Sequence, residues 1–240
     1  MRKIEVALPK GRRLLGAAYA LFAQAGFGAT ALEQEIAKKE RKQLEFVSDC
    51  GRVTYLLVRI ADIPQYVDKN WADMGVSAFD CYREYELASV SHLNHSMRGD
   101  NFISDLLPNL ELCKNTRFCI AGLPEGRGFF ERCKESHDKI LSVATQHPYI
   151  AAKYFDTCNM AVDIVTITGS SEIMPKHAGV DVIFDIVETG RALEENGLVI
   201  YEEALPIQTK LLVSRAAFKY DPQIAAMVEA LAAANKGADA

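Results

Sequence analysis

The sequence lacks the features that mark membrane, exported and nucleic-acid-binding proteins. No apolar run approaches the roughly 18 residues that a membrane span needs, and the start MRKIEVALPKGRR turns basic before it offers the apolar stretch of a signal peptide. The formal net charge of -5 argues against the basic stripe with which proteins bind nucleic acids. We therefore expect a cytoplasmic protein that binds neither a membrane nor a nucleic acid.

Metal-binding and disulfide spacings are also missing. The six cysteines lie far apart without a CxxC pair, so they are expected to be reduced thiols. His92 and His95 form an HxxH pair, but they stand in a polar loop without further ligands, where a solvated pair is expected. No metal ligated by protein side chains is predicted.

The sequence does contain a regular alternation of β-rich and helical patterns. Its 240 residues, 49% of them hydrophobic, suffice for one large domain or two modest ones. Such alternation is typical of a mostly parallel sheet covered by helices. Residues 91–108 break the rhythm and are interpreted as a loop or linker beside a domain boundary. The predicted strands are residues 4–8, 53–59, 72–77, 116–122, 140–145, 162–168, 180–185, 198–204 and 209–214, and the clearest predicted helices are residues 13–25, 63–70, 148–158 and 221–235.

The stretch DIVETGRALEENGL, residues 185–198, combines a strand end, a polar turn and a short charged helix. In such sheets ligands bind at the carboxyl ends of strands, where helix N-termini point free N–H groups outward. We expect Asp185 to be the last strand residue, followed by a turn of Glu188, Thr189 and Gly190. A phosphate could accept hydrogen bonds from this turn, while the carboxylates face hydroxyls of an attached ribose. A plain helix-capping turn is the alternative that so short a motif leaves open.

This stretch ends the longest of five segments that together resemble one enzyme family, the ATP phosphoribosyltransferases that begin histidine biosynthesis. The resemblance runs along nearly the whole chain, and the agreement of five segments in order is more specific than one short motif. The segments are LPKGR (8–12), RIADIPQYVDKNWADMGV (59–76), SVATQHPYIAAKYF (142–155), TGSSEIMPKHAGVDVIFDIVETGRALEENGL (168–198) and EEALPIQTKLLVSR (202–215).

The resemblance implies an α/β protein with a two-lobed, periplasmic-binding-protein-like (type II) fold. In that fold mostly parallel mixed sheets form two lobes with a cleft between them. By this likeness residues 1–104 and 204–240 form the first lobe, and residues 105–203 form the second lobe with the loop for phosphoribosyl pyrophosphate. The two chain crossings between the lobes would then form a hinge.

The implied reaction joins N1 of the ATP adenine to the anomeric carbon of phosphoribosyl pyrophosphate and expels pyrophosphate. Adenine N1 already carries a lone pair, so the chemistry needs no serine or cysteine nucleophile. Lys10 and Arg12 could stabilise the departing pyrophosphate, with Mg²⁺ shared between the phosphates. A family arginine near the pyrophosphate matches Arg41 or Lys42. Without the resemblance, Lys10 and Arg12 would be interpreted as solvated surface residues.

The likeness also implies substrate-binding residues in both lobes. Asp185 matches the position that holds ribose hydroxyls, and Glu172 matches an acidic position of the nucleotide site, with a helix-capping glutamate as its alternative. Asp73 and Asp80 match a pair of acidic positions on the first lobe, of which Asp73 could be purely structural. The implied loop around the 5-phosphate consists of Glu188, Thr189, Gly190, Arg191 and Ala192.

Several positions depart from the family pattern. Ala192 replaces a loop threonine, Phe79 replaces a lysine, and Gln146 and His147 replace a lysine–tyrosine pair. The lost positive charge leaves open an alternative function. In that alternative, a diverged member binds nucleotide or phosphoribosyl pyrophosphate as a sensor or partner subunit with little turnover.

The resemblance finally implies partners. Only one predicted helix and the tail KGADA follow the last predicted strand. We therefore expect the short form of the family, which works with a separate regulatory subunit resembling histidyl-tRNA synthetase. The implied substrates are ATP and phosphoribosyl pyrophosphate, and a homo-oligomer, a dimer, is expected.

Overall fold

The chain divides into two compact units. The structure is a computed structural model, and it describes residues 2–38, 42–91, 101–107, 110, 112, 115–136 and 138–237. Unit 1 consists of Met1–Cys113 and Gln208–Ala240, and unit 2 consists of Lys114–Ile207. The sequence prediction places these boundaries after residues 104 and 203. His92 and His95 lie outside the described residues.

Strands and helices alternate in both units. The described strands are β1 (Ile4–Pro9), β2 (Glu45–Val47), β3 (Val53–Val58), β4 (Met74–Ala78), β5 (Phe102–Ile103), β6 (Arg117–Gly122), β7 (Leu141–Thr145), β8 (Val162–Thr166), β9 (Val182–Val187), β10 (Val199–Pro206) and β11 (Thr209–Ser214). The described helices are α1 (Arg12–Phe22), α2 (Thr30–Ala37), α3 (Ile63–Asp68), α4 (Phe79–Ser91), α5 (Arg127–Glu135), α6 (Pro148–Thr157), α7 (Met174–His177), α8 (Arg191–Glu195), α9 (Arg215–Tyr220) and α10 (Pro222–Gly237).

Every strand and helix predicted above is present, with ends that shift by a few residues. Two differences matter for the site and the domain boundary. The short strand β5 lies within residues 91–108, which were predicted to be a loop or linker. Asp185 does not end its strand, because Ile186 and Val187 continue the antiparallel ladder of β9 with β6.

The sheet of unit 1 is mixed, with its parallel strands at the centre. Its strand order is β2-β3-β1-β4-β11-β5. β1 pairs in parallel with β3 and β4, whereas β2, β11 and β5 join by antiparallel pairing. The carboxyl ends of β1, β3 and β4 therefore meet at one edge of the sheet, where α/β proteins bind ligands.

The sheet of unit 2 is built in the same way. Its strand order is β10-β6-β9-β7-β8. β7 pairs in parallel with β8 and β9, whereas β6 and β10 are antiparallel additions on the other side of β9. The expectation of mostly parallel pairing thus applies to the centre of each sheet and not to the edges. Antiparallel edge strands on a parallel sheet are common in α/β folds.

Helices cover both faces of the unit 1 sheet. In α1 the buried residues Leu15, Ala18 and Phe22 recur at helical spacing, so one face of this helix packs on the sheet. The Phe22 ring meets Tyr55 of β3 edge to face, with the centroids 5.8 Å apart. On the opposite sheet face, α3 packs closely over Gly75 of β4. A Cβ atom there would lie 2.6 Å from Ile63 Cγ2.

The core of unit 2 is rich in aromatic side chains on one sheet face. Phe118 of β6 and Phe184 of β9 stack with their centroids 4.8 Å apart, and Phe155 of α6 packs on Phe184. All three side chains are fully buried. Each such side chain stabilises the fold by about 1.5–3 kcal/mol through burial, and their contacts pack α6 on β6 and β9.

The part of the chain that the structure describes, residues 2–237 with gaps, also bears on membrane spans, disulfides and metal clusters. No helix there is both long and apolar enough to cross a membrane. Among the residues that the structure describes, Cys50, Cys81, Cys119, Cys133 and Cys158 are thiols that form no disulfide bond. Nor do three or more His, Cys, Asp or Glu side chains within these residues gather into a group that could hold a metal ion.

Candidate functional site

The polar turn after β9 lies at the edge of unit 2 where the parallel strands end. Since β7, β8 and β9 run in the same direction, their carboxyl ends share this edge. Thr145 ends β7, Ser171 and Glu172 follow β8 in a short 3-10 turn, and Glu188 follows β9. The edge thus brings Glu172 and Asp185 together with the predicted phosphate loop.

The turn owes its shape to Gly190. This residue is the N-cap of α8 and has a φ of 78° and a ψ of -7°, a left-handed conformation that glycine adopts without penalty. A Cβ atom at Gly190 would meet nothing within 4 Å, so the constraint is the backbone angle and not space. Glu188 and Thr189 are exposed, and the Thr189 hydroxyl accepts a 3.5 Å hydrogen bond from the Arg191 N–H.

The Asp185 carboxylate is held at both oxygens. The N–H of Ile186 donates to Oδ1 at 2.7 Å, and the hydroxyl of Ser171 donates to Oδ2. Ser171 is buried, whereas Asp185 is only partly buried. The carboxylate therefore has a fixed orientation and still has lone pairs that can accept hydrogen bonds from a ligand.

A cavity of about 190 Å³ adjoins this carboxylate. It is smaller than the roughly 300–1,000 Å³ of pockets for drug-sized ligands, so it suits a compact polar group. The lining residues are Glu172, Asp185, Ile186, Val187, Glu188, Thr189, Gly190, Ala192 and Leu193. Six residues predicted for substrate binding thus share one cavity, which offers backbone N–H groups and the Thr189 hydroxyl for a phosphate and carboxylates for sugar hydroxyls.

Arg191, the remaining predicted loop residue, is not among the residues that line the cavity. Its guanidinium pairs with Glu195 one helical turn later, at 2.8 Å, and its side chain is 82% exposed. Because exposed pairs of this kind contribute little stability, the side chain is able to turn elsewhere. In this arrangement the described residues that line the cavity include no positively charged side chain.

The basic turn of unit 1 lies at the matching edge of its own sheet. β1 ends at Pro9, Lys10 is exposed, and α1 begins at Arg12 with Gly11 as its N-cap. The Lys10 N–H donates to the Val58 carbonyl at 2.8 Å, which fixes the turn beside β3. The first turn of α1 holds no acidic residue, so its backbone N–H groups can attract an anion.

Of Arg12, Arg41 and Lys42, the other residues predicted to contact pyrophosphate, only Lys42 is described together with its side chain. The backbone of Arg12 is described but its side chain is not, and Arg41 lies outside the described residues. Lys42 is exposed, and its N–H donates to Glu35 Oε1 at 2.9 Å.

The two aspartates predicted on the first lobe have different surroundings. Asp73 is buried, and its carboxylate accepts hydrogen bonds from Arg2 at 2.6 Å and from the Glu5 N–H at 2.8 Å. These contacts favour the structural alternative for Asp73. Asp80 lies in the first turn of α4, at the carboxyl end of β4, and accepts a 3.3 Å hydrogen bond from Cys81.

The residues that depart from the family pattern are accommodated locally. Phe79 packs edge to face on Tyr82, and His147 packs edge to face on Phe118. Gln146 is exposed, and the Ala192 carbonyl accepts a hydrogen bond from Asn196. Aromatic packing thus takes the place of the implied family lysine at position 79, whereas His147 keeps a ring where the family pattern has a tyrosine.

Sequence reasoning missed Ser171 and Thr145. The Ser171 hydroxyl holds Asp185, and the Thr145 hydroxyl accepts a 2.9 Å hydrogen bond from the His147 N–H, which starts α6. Single hydroxyl residues at strand ends are common, so spacing alone gives no signal for either one. Their positions, after β8 and at the end of β7, could have indicated both residues, because ligands bind at the carboxyl ends of strands.

Comparison with known proteins gives a consistent result. A family model described as ATP phosphoribosyltransferase matches residues 59–233. The ATP phosphoribosyltransferase of Bacillus cytotoxicus is 35% identical over 223 residues, which cover 91% of this chain and 90% of the relative. That of Bacillus mycoides is 33% identical with the same coverage.

Two solved structures resemble the fold. A chain titled as the ATP phosphoribosyl transferase (HisG:HisZ) complex from Thermotoga maritima has a TM-score of 0.67 at 22% identity, over 98% of this chain and 99% of that one. The periplasmic aliphatic sulphonate binding protein SsuA from Escherichia coli has a TM-score of 0.50 at 10% identity, over 100% of this chain and 71% of that one. These likenesses support the predicted periplasmic-binding-protein-like α/β fold with two mixed sheets.

Proposed function

This chain belongs to the ATP phosphoribosyltransferase family, and we infer from that membership that it catalyses the first step of histidine biosynthesis. It transfers the phosphoribosyl group of phosphoribosyl pyrophosphate to N1 of ATP and releases pyrophosphate. The cavity at the carboxyl end of β9 is the observation from which we assign this function to particular residues. That cavity lies within the matched segment and has the donors and acceptors of a sugar-phosphate site.

We assign the phosphoribosyl group to this cavity. Backbone N–H groups of the turn would hold the 5-phosphate, because the first N–H groups of a helix have no acceptor within the helix and carry partial positive charge. The Thr189 hydroxyl lies in the same turn and would add one donor. Asp185 would accept hydrogen bonds from the ribose hydroxyls, which fixes the sugar while its anomeric carbon reacts.

The chemistry itself requires positioning and charge stabilisation. Adenine N1 attacks the anomeric carbon with its own lone pair, the bond to pyrophosphate breaks, and the pyrophosphate leaves with the bonding electrons. We propose that Lys10, Arg12 and the N-terminus of α1 stabilise this leaving group, since preorganised donors are most effective where charge develops. Arg41 or Lys42, Asp80 and Glu172 complete the proposed set, and Asp73 supports the fold.

Mg²⁺ is proposed as an ion that arrives with the phosphates of the substrates. Magnesium in proteins usually keeps several waters and takes one or two carboxylates plus phosphate oxygens. The residues described here fit that mode better than a protein cage, because they lack a group of three or more suitable side chains. When bound, the ion would neutralise phosphate charge.

We further propose that the chain works in the cytoplasm as a homodimer with a regulatory subunit. The regulatory-subunit part of this proposal is supported by the likeness to the chain from Thermotoga maritima, which belongs to a HisG:HisZ complex and is covered to 99% by this chain. The regulatory subunit would resemble histidyl-tRNA synthetase, as the sequence resemblance implies.

The test is an initial-rate assay of pyrophosphate release by the purified protein, with and without the regulatory subunit. We expect release that requires ATP, phosphoribosyl pyrophosphate and Mg²⁺ together, and none when either substrate is omitted. Saturable binding of phosphoribosyl pyrophosphate without turnover under both conditions would instead support the sensor function.

A further inference from the structure

A buried serine lies behind the carboxylate that faces the cavity. Ser171 is 1% exposed, and its hydroxyl donates to Oδ2 of Asp185. The serine comes from the segment after β8, whereas the aspartate belongs to β9. The hydrogen bond therefore joins two separate parts of the chain at the edge of unit 2.

The backbone before Ser171 has an uncommon conformation. Ser170 has a φ of 53° and a ψ of 46°, in the left-handed region that side chains other than glycine rarely adopt. Ser171 follows as the first residue of the 3-10 turn Ser171–Ile173. Residues held in such conformations cluster at ligand sites, where the surrounding structure fixes them. Here the conformation places the Ser171 hydroxyl against Asp185.

The two hydrogen bonds to Asp185 leave its remaining lone pairs for a ligand. Oδ1 accepts from the Ile186 N–H at 2.7 Å, and each carboxylate oxygen has two acceptor sites. Asp185 lines the cavity, so one acceptor site on each oxygen stays available for the two adjacent hydroxyls of a ribose. Without the serine, Oδ2 would lose its internal donor and the carboxylate could rotate.

We propose that Ser171 is a positioning residue that orients Asp185 toward both hydroxyls of the ribose and so favours ribose over 2-deoxyribose. This inference rests on the proposed function, because it takes the cavity to hold the phosphoribosyl group. The serine acts only through the carboxylate. Its removal should therefore weaken recognition of the sugar hydroxyls and leave phosphate binding by the turn unchanged.

The experiment compares binding of ribose 5-phosphate and 2-deoxyribose 5-phosphate by ligand-detected NMR titration. The Ser171→Ala variant should lose at least about fivefold in affinity for ribose 5-phosphate, since hydrogen bonds to a charged group are among the stronger ones. Its affinity for the deoxy sugar should change less than about twofold, because one of the two recognised hydroxyls is missing there. In an Asp185→Asn background the serine substitution should have almost no further effect.

The matched control is Ser48→Ala. Ser48 is also buried, and its hydroxyl accepts a 3.0 Å hydrogen bond from the Val53 N–H in unit 1. This variant should lose stability without changing either sugar affinity. If Ser171→Ala does not fold, Ser171→Cys keeps the side-chain size with a weaker donor and should show an intermediate loss of ribose preference.

Equal losses for both sugars, unchanged affinities in the serine variants, or an equally large serine effect in the Asp185→Asn background would each overturn the inference. Its failure is distinguishable from failure of the proposed function. A protein that loses ribose preference on Ser171→Ala but forms no product with ATP supports the positioning role and contradicts the transferase. An active transferase whose Ser171→Ala variant keeps its ribose preference supports the proposed function and contradicts the positioning role.

Discussion

At the scale of single residues, the phosphate turn depends on a backbone angle. Gly190 has a φ of 78°, and no atom lies where its Cβ would be. A side chain could therefore fit in the free protein, but the turn would be strained. Because a phosphate would bind to the backbone N–H groups of this turn, strain there should affect phosphoribosyl pyrophosphate and not ATP.

We expect Gly190→Val to raise the KM for phosphoribosyl pyrophosphate by at least about tenfold, since β-branched residues are strongly disfavoured at positive φ. The KM for ATP should change less than about twofold. Initial rates measured with each substrate varied in turn check this. Gly179→Val is the matched control, because Gly179 has a φ of 68° and open space but does not line the cavity. Equal increases in the KM values for both substrates would contradict the assignment of this turn to the phosphate of phosphoribosyl pyrophosphate.

At this scale the sequence predicted the order of strand, turn and helix around Asp185, but not the orientation of the side chains. Asp185 and the turn after it follow from the strand-turn-helix pattern, although the strand continues past Asp185 because β6 offers it a partner. Arg191 pairs with Glu195 and is absent from the cavity lining, a local choice that the sequence leaves open. The role of Ser171 depends on contact with a distant strand, which spacing does not reveal.

At the scale of elements, the sequence predicted the buried strands of about six residues but not the very short strands at the sheet edges. β1, β3 and β9 are buried runs rich in Val, Ile and Leu, which is a strong local signal. β2 and β5 have three and two residues, and they are strands only because β3 and β11 offer edges to pair with.

Two glycines of unit 1 are expected to respond to alanine with opposite changes in the free energy of unfolding. Gly75→Ala should lower the free energy of unfolding by about 1–3 kcal/mol, because the added Cβ would lie 2.6 Å from Ile63 Cγ2. Gly16→Ala should raise it by about 0.5–1 kcal/mol, because Gly16 stands inside α1 with nothing within 4 Å of its Cβ position. Urea unfolding measures both. A stabilised Gly75→Ala would contradict the close packing of α3.

Contacts between α5, α6 and β10 predict a dependence of stability on pH. Burial favours the neutral form of Glu202, but hydrogen bonds from Lys134 and from Tyr154 outweigh it and lower the pKa of Glu202 below its ordinary 4.5. A carboxylate whose pKa is lower in the folded than in the unfolded protein stabilises the fold at pH values above its unfolded pKa. This stabilisation is lost as the pH falls through the pKa of the folded protein. Glu202→Gln should therefore destabilise the protein at neutral pH and reduce the loss of stability below pH 4.5.

Urea unfolding of both proteins at neutral pH and at several values below pH 4.5 measures this difference. The control is Glu45→Gln, which changes an exposed glutamate of β2 and should leave the pH profile unaltered. Parallel pH profiles for the wild type and Glu202→Gln would show that the carboxylate adds no pH-dependent stability.

At the scale of the whole molecule, the proposed regulatory subunit predicts how histidine acts. Coupling between an effector and a substrate requires a site for the effector, and we place that site on the partner. The isolated, active chain should therefore be insensitive to histidine, and inhibition should appear when the regulatory subunit is added. Titrating histidine in the pyrophosphate-release assay measures this. Saturable inhibition of the isolated chain would place the effector site on this chain instead.

The central claim is that this chain transfers a phosphoribosyl group to N1 of ATP, and quantitative phosphorus NMR of one reaction mixture tests it most directly. The purified protein, with its regulatory subunit if required, is incubated with ATP, phosphoribosyl pyrophosphate and Mg²⁺, and both products are measured together. We predict equal amounts of pyrophosphate and of the N1-phosphoribosyl adduct of ATP. Pyrophosphate without the adduct would indicate hydrolysis, and the absence of both from a protein that still binds phosphoribosyl pyrophosphate would contradict the transferase.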